Sequence, residues 1–324
     1  MSDHLTAVWI VGAGAMAAEY AKVLTALEKQ YTVIGRSEER CRSFEEKMRH
    51  KAVAGGLDTF LASQPTVAHS AIVAVNPNQL SATACTLLKA GVKRVLLEKP
   101  AGLNLEQVQA VRDAAEAAKA EVYVAYNRRF YRSVMVGEKI IREDGGVKSF
   151  HFEFTEWAHR IVALPKPKEE LAAWFLANST HVVDTAFFMG GMPVDMHCVT
   201  SGSLPWYPEA AAFAGSGVTD SGAIFSYEAN WSAPGRWVIE MMTNKHRLIY
   251  RPMEQLQIQE IGSVAFNPVE IDDTLDKQFK AGLYLQTEAF LKGDASRMLT
   301  IDGQLKHMAV YDAIERGEAY KAYE

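Results

Sequence analysis

The apolar run Val8-Trp9-Ile10-Val11 leads directly into Gly12-Ala13-Gly14-Ala15-Met16-Ala17, and this junction narrows the possible folds more than any other stretch. A strand closing in G-x-G-x-x-A must turn at once into a helix. Gly12 permits the sharp turn, Gly14 removes a side chain that would block an approaching phosphate, and Ala17 lets the helix pack closely on the strand. A helical pattern then covers residues 15–28. The turn offers backbone N–H groups, including those of Ala15 and Met16, to a pyrophosphate at a helix N-terminus. The same spacing also occurs in structural turns that bind nothing, so its context carries the reading.

That context repeats through the first third of the chain. Apolar runs at 31–34, 67–75, 92–97 and 121–126 alternate with helical patterns at 38–50, 79–89 and 104–119. Gly91 stops one helix, and Asn104 with Gln107 forms a capping box that opens the next. Strands apolar on both faces belong to a parallel sheet covered by helices. After Tyr126 the period changes to two. Phe150, Phe152 and Phe154 alternate with His151, Glu153 and Thr155, and Phe225, Tyr227, Ala229 and Trp231 alternate with Ser226, Glu228 and Asn230. Together with runs at 237–243, 247–251 and 256–261, this predicts a mostly antiparallel sheet, with helices at 171–189, 274–291 and 303–316. The expected fold is α/β: an N-terminal Rossmann, doubly wound parallel sheet over 1–122, then an α/β domain with a large, mostly antiparallel open sheet over 123–324. Pro165-Lys166-Pro167-Lys168 is the expected mobile loop.

With 324 residues the chain can build two cores, and 34 Lys+Arg against 39 Asp+Glu leaves a net charge of −5. Neither a basic excess nor a long like-charged block is present, which argues against nucleic acid or an anionic membrane as partner. Cys41, Cys85 and Cys198 lie far apart without C-x-x-C spacing, so neither a disulfide framework nor a metal site is expected. The apolar segment 7–18 lacks a basic leader and contains the glycine turn, so a cytoplasmic protein is expected.

A second motif, Glu98-Lys99-Pro100, follows Val95-Leu96-Leu97. A lysine closing a later strand of the sheet can reach the nicotinamide end of a dinucleotide, so the two motifs together suggest hydride transfer. These two motifs, Val75-Asn76-Pro77-Asn78, Tyr126-Asn127-Arg128-Arg129-Phe130 and His181-x-x-Asp184 follow one another in an order that resembles the Gfo/Idh/MocA family over essentially the whole chain. These are glucose-fructose oxidoreductase and inositol dehydrogenase-like enzymes. The resemblance implies a Rossmann domain, cofactor contacts at Asn76 and Pro77, and a second domain whose open sheet carries the substrate pocket and, commonly, the interface of a homodimer or homotetramer.

An NAD enzyme usually places Asp or Glu at the end of the second strand, to hold the ribose 2′-OH. This chain has Gly35-Arg36-Ser37, with Arg40 one turn on. A guanidinium and a hydroxyl suit a 2′-phosphate, so NADP is expected over NAD. The competing reading makes Arg36 a solvated residue and Ser37 a helix cap.

Lys99 is the first catalytic candidate, orienting the nicotinamide ribose and stabilising charge on a substrate oxygen. Glu98 is expected to pair with a neighbour rather than react. His181 is the candidate acid/base, because imidazole exchanges protons near neutral pH. The resemblance implies an Asp one turn before this histidine, but position 177 is Ala, followed by Asn178. Asp184 lies three residues on, as a partner for His181 or as a structural contact. Asn127, Arg128 and Arg129, with Arg132, Arg160, Lys166 and Lys168, suggest an anionic substrate group; ordinary ion pairing is the alternative. Trp174, Asn178 and Arg236 complete the substrate candidates, although Trp174, Trp231 and Trp237 also suit a core. The chain therefore reads as an NADP-dependent oxidoreductase for a sugar-like alcohol or ketone, whether free, phosphorylated or nucleotide-linked. The alternative is a non-catalytic NAD(P)-binding sensor of the same fold.

Overall fold

In the computed structural model, residues 7–322 are described. Contacts divide the chain into two units: Met1–Asn127 with Leu275–Leu305, and Arg128–Thr274 with Lys306–Glu324. The sequence places one cut at 122/123. The chain instead divides after Asn127 and returns a later segment to the first unit, where Leu299–Thr300 pairs antiparallel with the strand Glu121–Val124. A two-residue edge strand has no period of its own to reveal it.

The first unit contains β1 (Val8–Val11), β2 (Tyr31–Ile34), β3 (Ala52–Val53), β4 (Ser70–Val73), β5 (Arg94–Leu97) and β6 (Glu121–Val124). Their order is β6-β5-β4-β1-β2-β3, all parallel, with Leu299–Thr300 outside β6. This is the doubly wound arrangement expected. Ile10, Val33, Ile72, Val95 and Leu96 are fully buried, as a sheet covered on both faces requires. Strand order reverses between β1 and β4, and ligands of such sheets bind beyond the carboxyl ends at this switch point. The capping box forms with one difference. Asn104 accepts from the Gln107 N–H at 2.9 Å, while Gln107 Oε1 accepts from Leu103 N–H at 2.9 Å, one residue further back than the cap itself.

The second unit contains β7 (Ser149–Glu153), β8 (Pro193–Ser201), β9 (Ala212–Thr219), β10 (Ile224–Asn230), β11 (Val238–Met242), β12 (His246–Tyr250) and β13 (Gln257–Glu260). They lie in the order β13-β12-β11-β7-β10-β9-β8, with Asn267–Pro268 and Tyr320–Lys321 at the two edges. Among the described residues of this sheet, only β7 and β10 pair in parallel. The period-two residues form one apolar face. Phe150 stacks on Phe225 at 5.3 Å, Phe152 on Tyr227 at 5.3 Å, and Phe187 meets Phe150, Phe152 and Phe225 edge-on. Aromatic pairs of this kind add about 0.5–1.5 kcal/mol each beyond the area they bury. Phe187 belongs to the helix Thr180–Gly190. The single helix expected over 171–189 is in fact three pieces: Lys168–Ala172, a wide π turn at Phe175–Ser179, and Thr180–Gly190. Likewise 274–291 breaks into Thr274–Gln278 and Leu283–Lys292, with Gly282 at φ 72° before the second helix.

Candidate active site

The glycine turn sits at the switch point. Gly12 has φ 124°, and its N–H donates to the Ile34 carbonyl at 2.8 Å. A Cβ there would stand 2.3 Å from the Ala74 carbonyl oxygen, so the backbone just past β4 leaves room for glycine alone. At Gly14 the opposite holds: no atom lies within 4 Å of the space a Cβ would occupy. Gly14 caps the helix Ala15–Ala26 without any side-chain cap, and that helix has no acidic residue in its first turn. Open space beside uncapped N–H groups fits a pyrophosphate.

At the end of β2, Ser37 Oγ accepts from the Arg40 N–H at 3.1 Å and caps the helix Glu38–Met48. Arg36 and Arg40 are exposed and enter no ion pair among the described residues. Asn76 is exposed beyond β4, and Pro77 opens a short 3-10 turn.

Glu98 and Lys99 follow β5. Glu98 Oε1 accepts from the Tyr20 hydroxyl at 2.6 Å, so Glu98 pairs with a neighbour as expected. Burial pushes the Glu98 carboxyl up, against the Tyr20 hydrogen bond and the positive charges of Lys99 and Lys280. The Tyr20 hydroxyl is itself pushed up by burial and by Glu98, so it remains a donor. The Pro100 carbonyl accepts from Gln304 Nε2 at 3.1 Å, which ties down the turn after Lys99. Asn127 gives its amide to the Ala281 carbonyl at 2.8 Å within the same unit.

In the second unit the polar candidates sort into two groups. Asp184, fully buried, accepts from Arg129 Nε at 2.9 Å and Nη2 at 2.7 Å, and His307 Nδ1 stands 3.4 Å away. Burial works to raise this carboxyl, but Arg129 and His307 outweigh it and hold it below the ordinary range. The structure thus joins Arg129 to Asp184 in a buried ion pair, Arg129 also lying 4.6 Å over Phe188.

The second group surrounds Trp237. His181, 8% exposed, has its ring 6.3 Å from Trp237. Arg128 lies 4.5 Å over that indole and Arg236 4.3 Å over it, and Arg236 also lies 4.8 Å over Trp157. Arg128 Nε is buried with no hydrogen-bond partner among the described residues. Trp174 is buried against Trp206, and Asn178 donates to Glu156. The remaining cations disperse: Lys166 pairs with Glu170 at 3.0 Å, Arg132 donates to the Asp272 carbonyl, and Arg160 covers Trp157.

Glu156 escaped the sequence reading. It follows β7 as one acidic residue among many, and only the fold shows that it is 2% exposed. It borders a cavity of about 500 Å3 with Trp157, His159, Leu204 and Trp231. Burial raises its carboxyl above the ordinary range, opposed by hydrogen bonds from Ser179 and Asn178 and by Arg236.

No helix among the described residues is long and apolar enough to cross a membrane. No curated protein matches the sequence. Residues 6–126 match the profile of the oxidoreductase family with an NAD-binding Rossmann fold, Gfo/Idh/MocA. Among solved structures, the chain is similar to a levoglucosan dehydrogenase in complex with NADH, at 16% identity and TM-score 0.79, covering 98% of this chain and 99% of that one. It is also similar to UDP-N-acetylglucosamine 3-dehydrogenase from Acidithiobacillus ferrooxidans, at 15% identity and TM-score 0.73, covering 96% and 97%. A third is an oxidoreductase from Desulfitobacterium hafniense described as NADPH-dependent, at 16% identity and TM-score 0.77, covering 98% and 96%. With the glycine turn and the strand-end lysine inside the matched stretch, residues 6–126 are similar to the NAD-binding Rossmann domain of the Gfo/Idh/MocA oxidoreductases.

Proposed function

We propose that the protein is an NADP-preferring oxidoreductase acting on a sugar-like alcohol or ketone that carries an anionic group. The observation that carries this reading is Lys99, a cation following β5 in the sheet whose β1 ends in the open, uncapped glycine turn. The cofactor would be held by Gly12, Gly14, Ala15 and Met16 at its pyrophosphate, by Arg36 and Ser37 at its adenosine ribose, and by Asn76, Pro77, Glu98 and Lys99 toward the nicotinamide. When bound, it supplies or accepts the hydride. Lys99 stabilises negative charge on the substrate oxygen, and His181 gives or takes the hydroxyl proton at its imidazole. Arg128 and Arg236 attract the anionic group, with Trp174 and Asn178 bordering the same region; Asp184 and Arg129 hold the His181 helix in place. The neighbours named for levoglucosan and for a UDP-linked sugar support the sugar-like class. The second unit serves substrate binding and assembly into a homodimer or homotetramer, in the cytoplasm.

Calorimetry on the ligand-stripped protein is expected to show NADPH binding more tightly than NADH, and Arg36→Asp to weaken NADPH by roughly tenfold while sparing NADH. A panel of keto-sugars, free and phosphorylated, is expected to contain one that quenches NADPH fluorescence. Lys99→Met should abolish that quenching, a loss of roughly a thousandfold, while cofactor still binds. Bound cofactor that no small molecule oxidises, together with a protein partner that follows its redox state, would establish the sensor instead.

A further inference from the structure

Glu156 gathers three side chains from two segments onto one carboxylate. Its Oε1 accepts from Asn178 Nδ2 at 2.8 Å and from Ser179 Oγ at 2.9 Å, and its Oε2 faces Arg236 Nη1 at 3.5 Å. Asn178 and Ser179 belong to the π turn that ends where the helix of His181 begins. Arg236 lies 4.3 Å over Trp237, the indole 6.3 Å from the His181 ring. One arm of the carboxylate therefore holds the backbone that carries the imidazole, and the other holds the cation stacked on the ring beside it. The position four before His181, Ala177, offers no carboxylate of its own. A π turn carries an extra residue per turn and needs outside contacts to persist, and here the donors that stabilise it converge on one acceptor.

We infer that Glu156 is a positioning residue for His181, acting through the π turn before its helix and through Arg236 stacked on Trp237. This rests on the assignment of His181 as the proton-transfer group. Glu156→Gln keeps an oxygen for Asn178 and Ser179 but sets an amide against Arg236. Arg236→Met leaves the carboxylate and removes the stacked cation.

The test uses the full chain labelled with 13C-histidine, the His181 Cε1–H resonance being identified by its disappearance in His181→Asn. That resonance senses the ring current of Trp237 whether or not any sugar is turned over. Glu156→Gln and Arg236→Met are both expected to move it beyond the change produced by Glu169→Gln, an exposed control. An unmoved resonance in folded Glu156→Gln overturns the inference. If that variant does not fold, Arg236→Met and Asn178→Ala decide by the same criterion. On a substrate found by the sugar panel, Glu156→Gln should lower kcat by roughly 10- to 100-fold with cofactor affinity unchanged. An unchanged kcat also overturns it. Absence of turnover with every sugar refutes the assigned activity and leaves the resonance to judge Glu156.

Discussion

In the first unit, the residues around the glycine turn are placed by backbone. Gly12 is pinned by the carbonyls of Ile34 and Ala74, Gly14 faces open space, and Ser37 caps the helix that follows it. In the second unit, the equivalent work is done by side chains from distant segments: Asp184 with Arg129, and Glu156 with Asn178, Ser179 and Arg236. A backbone site is sensitive to a single added methyl and tolerant of side-chain chemistry. A side-chain site fails when one charge is removed, because the partner is then buried alone.

The largest effect should follow from breaking the buried pair. Arg129→Ala leaves the Asp184 carboxylate without its bidentate donor and should cost about 3–5 kcal/mol in urea unfolding. Arg129→Lys should recover only part of this, since one ammonium cannot reproduce the fork. A loss below about 1 kcal/mol would mean that side chains do not hold the second unit in this way.

Gly12→Ala should come next, at about 2–3 kcal/mol, because the methyl meets a carbonyl at a positive φ. A stable, fully folded Gly12→Ala protein would remove the backbone half of the contrast.

A third test concerns Glu315, which accepts a hydrogen bond from the Tyr207 hydroxyl. Burial raises its carboxyl from 4.5 to about 7; the Tyr207 bond opposes this, and Glu209 and Asp312 add to it. The folded state therefore keeps a proton that the unfolded chain has released, and stability should fall as pH rises from 4.5 to about 7, then level off. Glu315→Gln should accordingly gain about 2 kcal/mol relative to the wild type at pH 8 and much less at pH 5, read by thermal unfolding at both. An equal effect at both pH values would contradict the burial.

The smallest effect on stability should be that of Gly14→Ala, about 0.5 kcal/mol, since its methyl enters empty space. The same methyl should weaken dinucleotide binding at least tenfold by calorimetry. Together with Gly12→Ala it separates a glycine required by the fold from one required by the ligand.

The parallel sheet was legible because its strands are short apolar runs closed by turn residues, each visible within its own window. The Glu98 pairing could be anticipated, but not its partner, since Tyr20 lies on a helix 78 residues away. His181 stood out by type and spacing, whereas the π turn before it did not: Phe175-Leu176-Ala177-Asn178-Ser179 shows nothing that separates it from ordinary helix. Arg128 and Arg129, adjacent and alike in sequence, have different fates, one stacked on Trp237 and the other locked to Asp184.

Local chemistry alone determined the glycine turn and the strand–helix alternation, and singled out Lys99 and His181 as candidates, because turn geometry and hydrophobic period act over a few neighbouring residues. Only the tertiary structure decided which charges neutralise each other and that Glu156 is buried. Those outcomes depend on which segments the nine-stranded sheet brings within a few ångströms, and desolvation acts on a carboxylate only once the fold has closed around it.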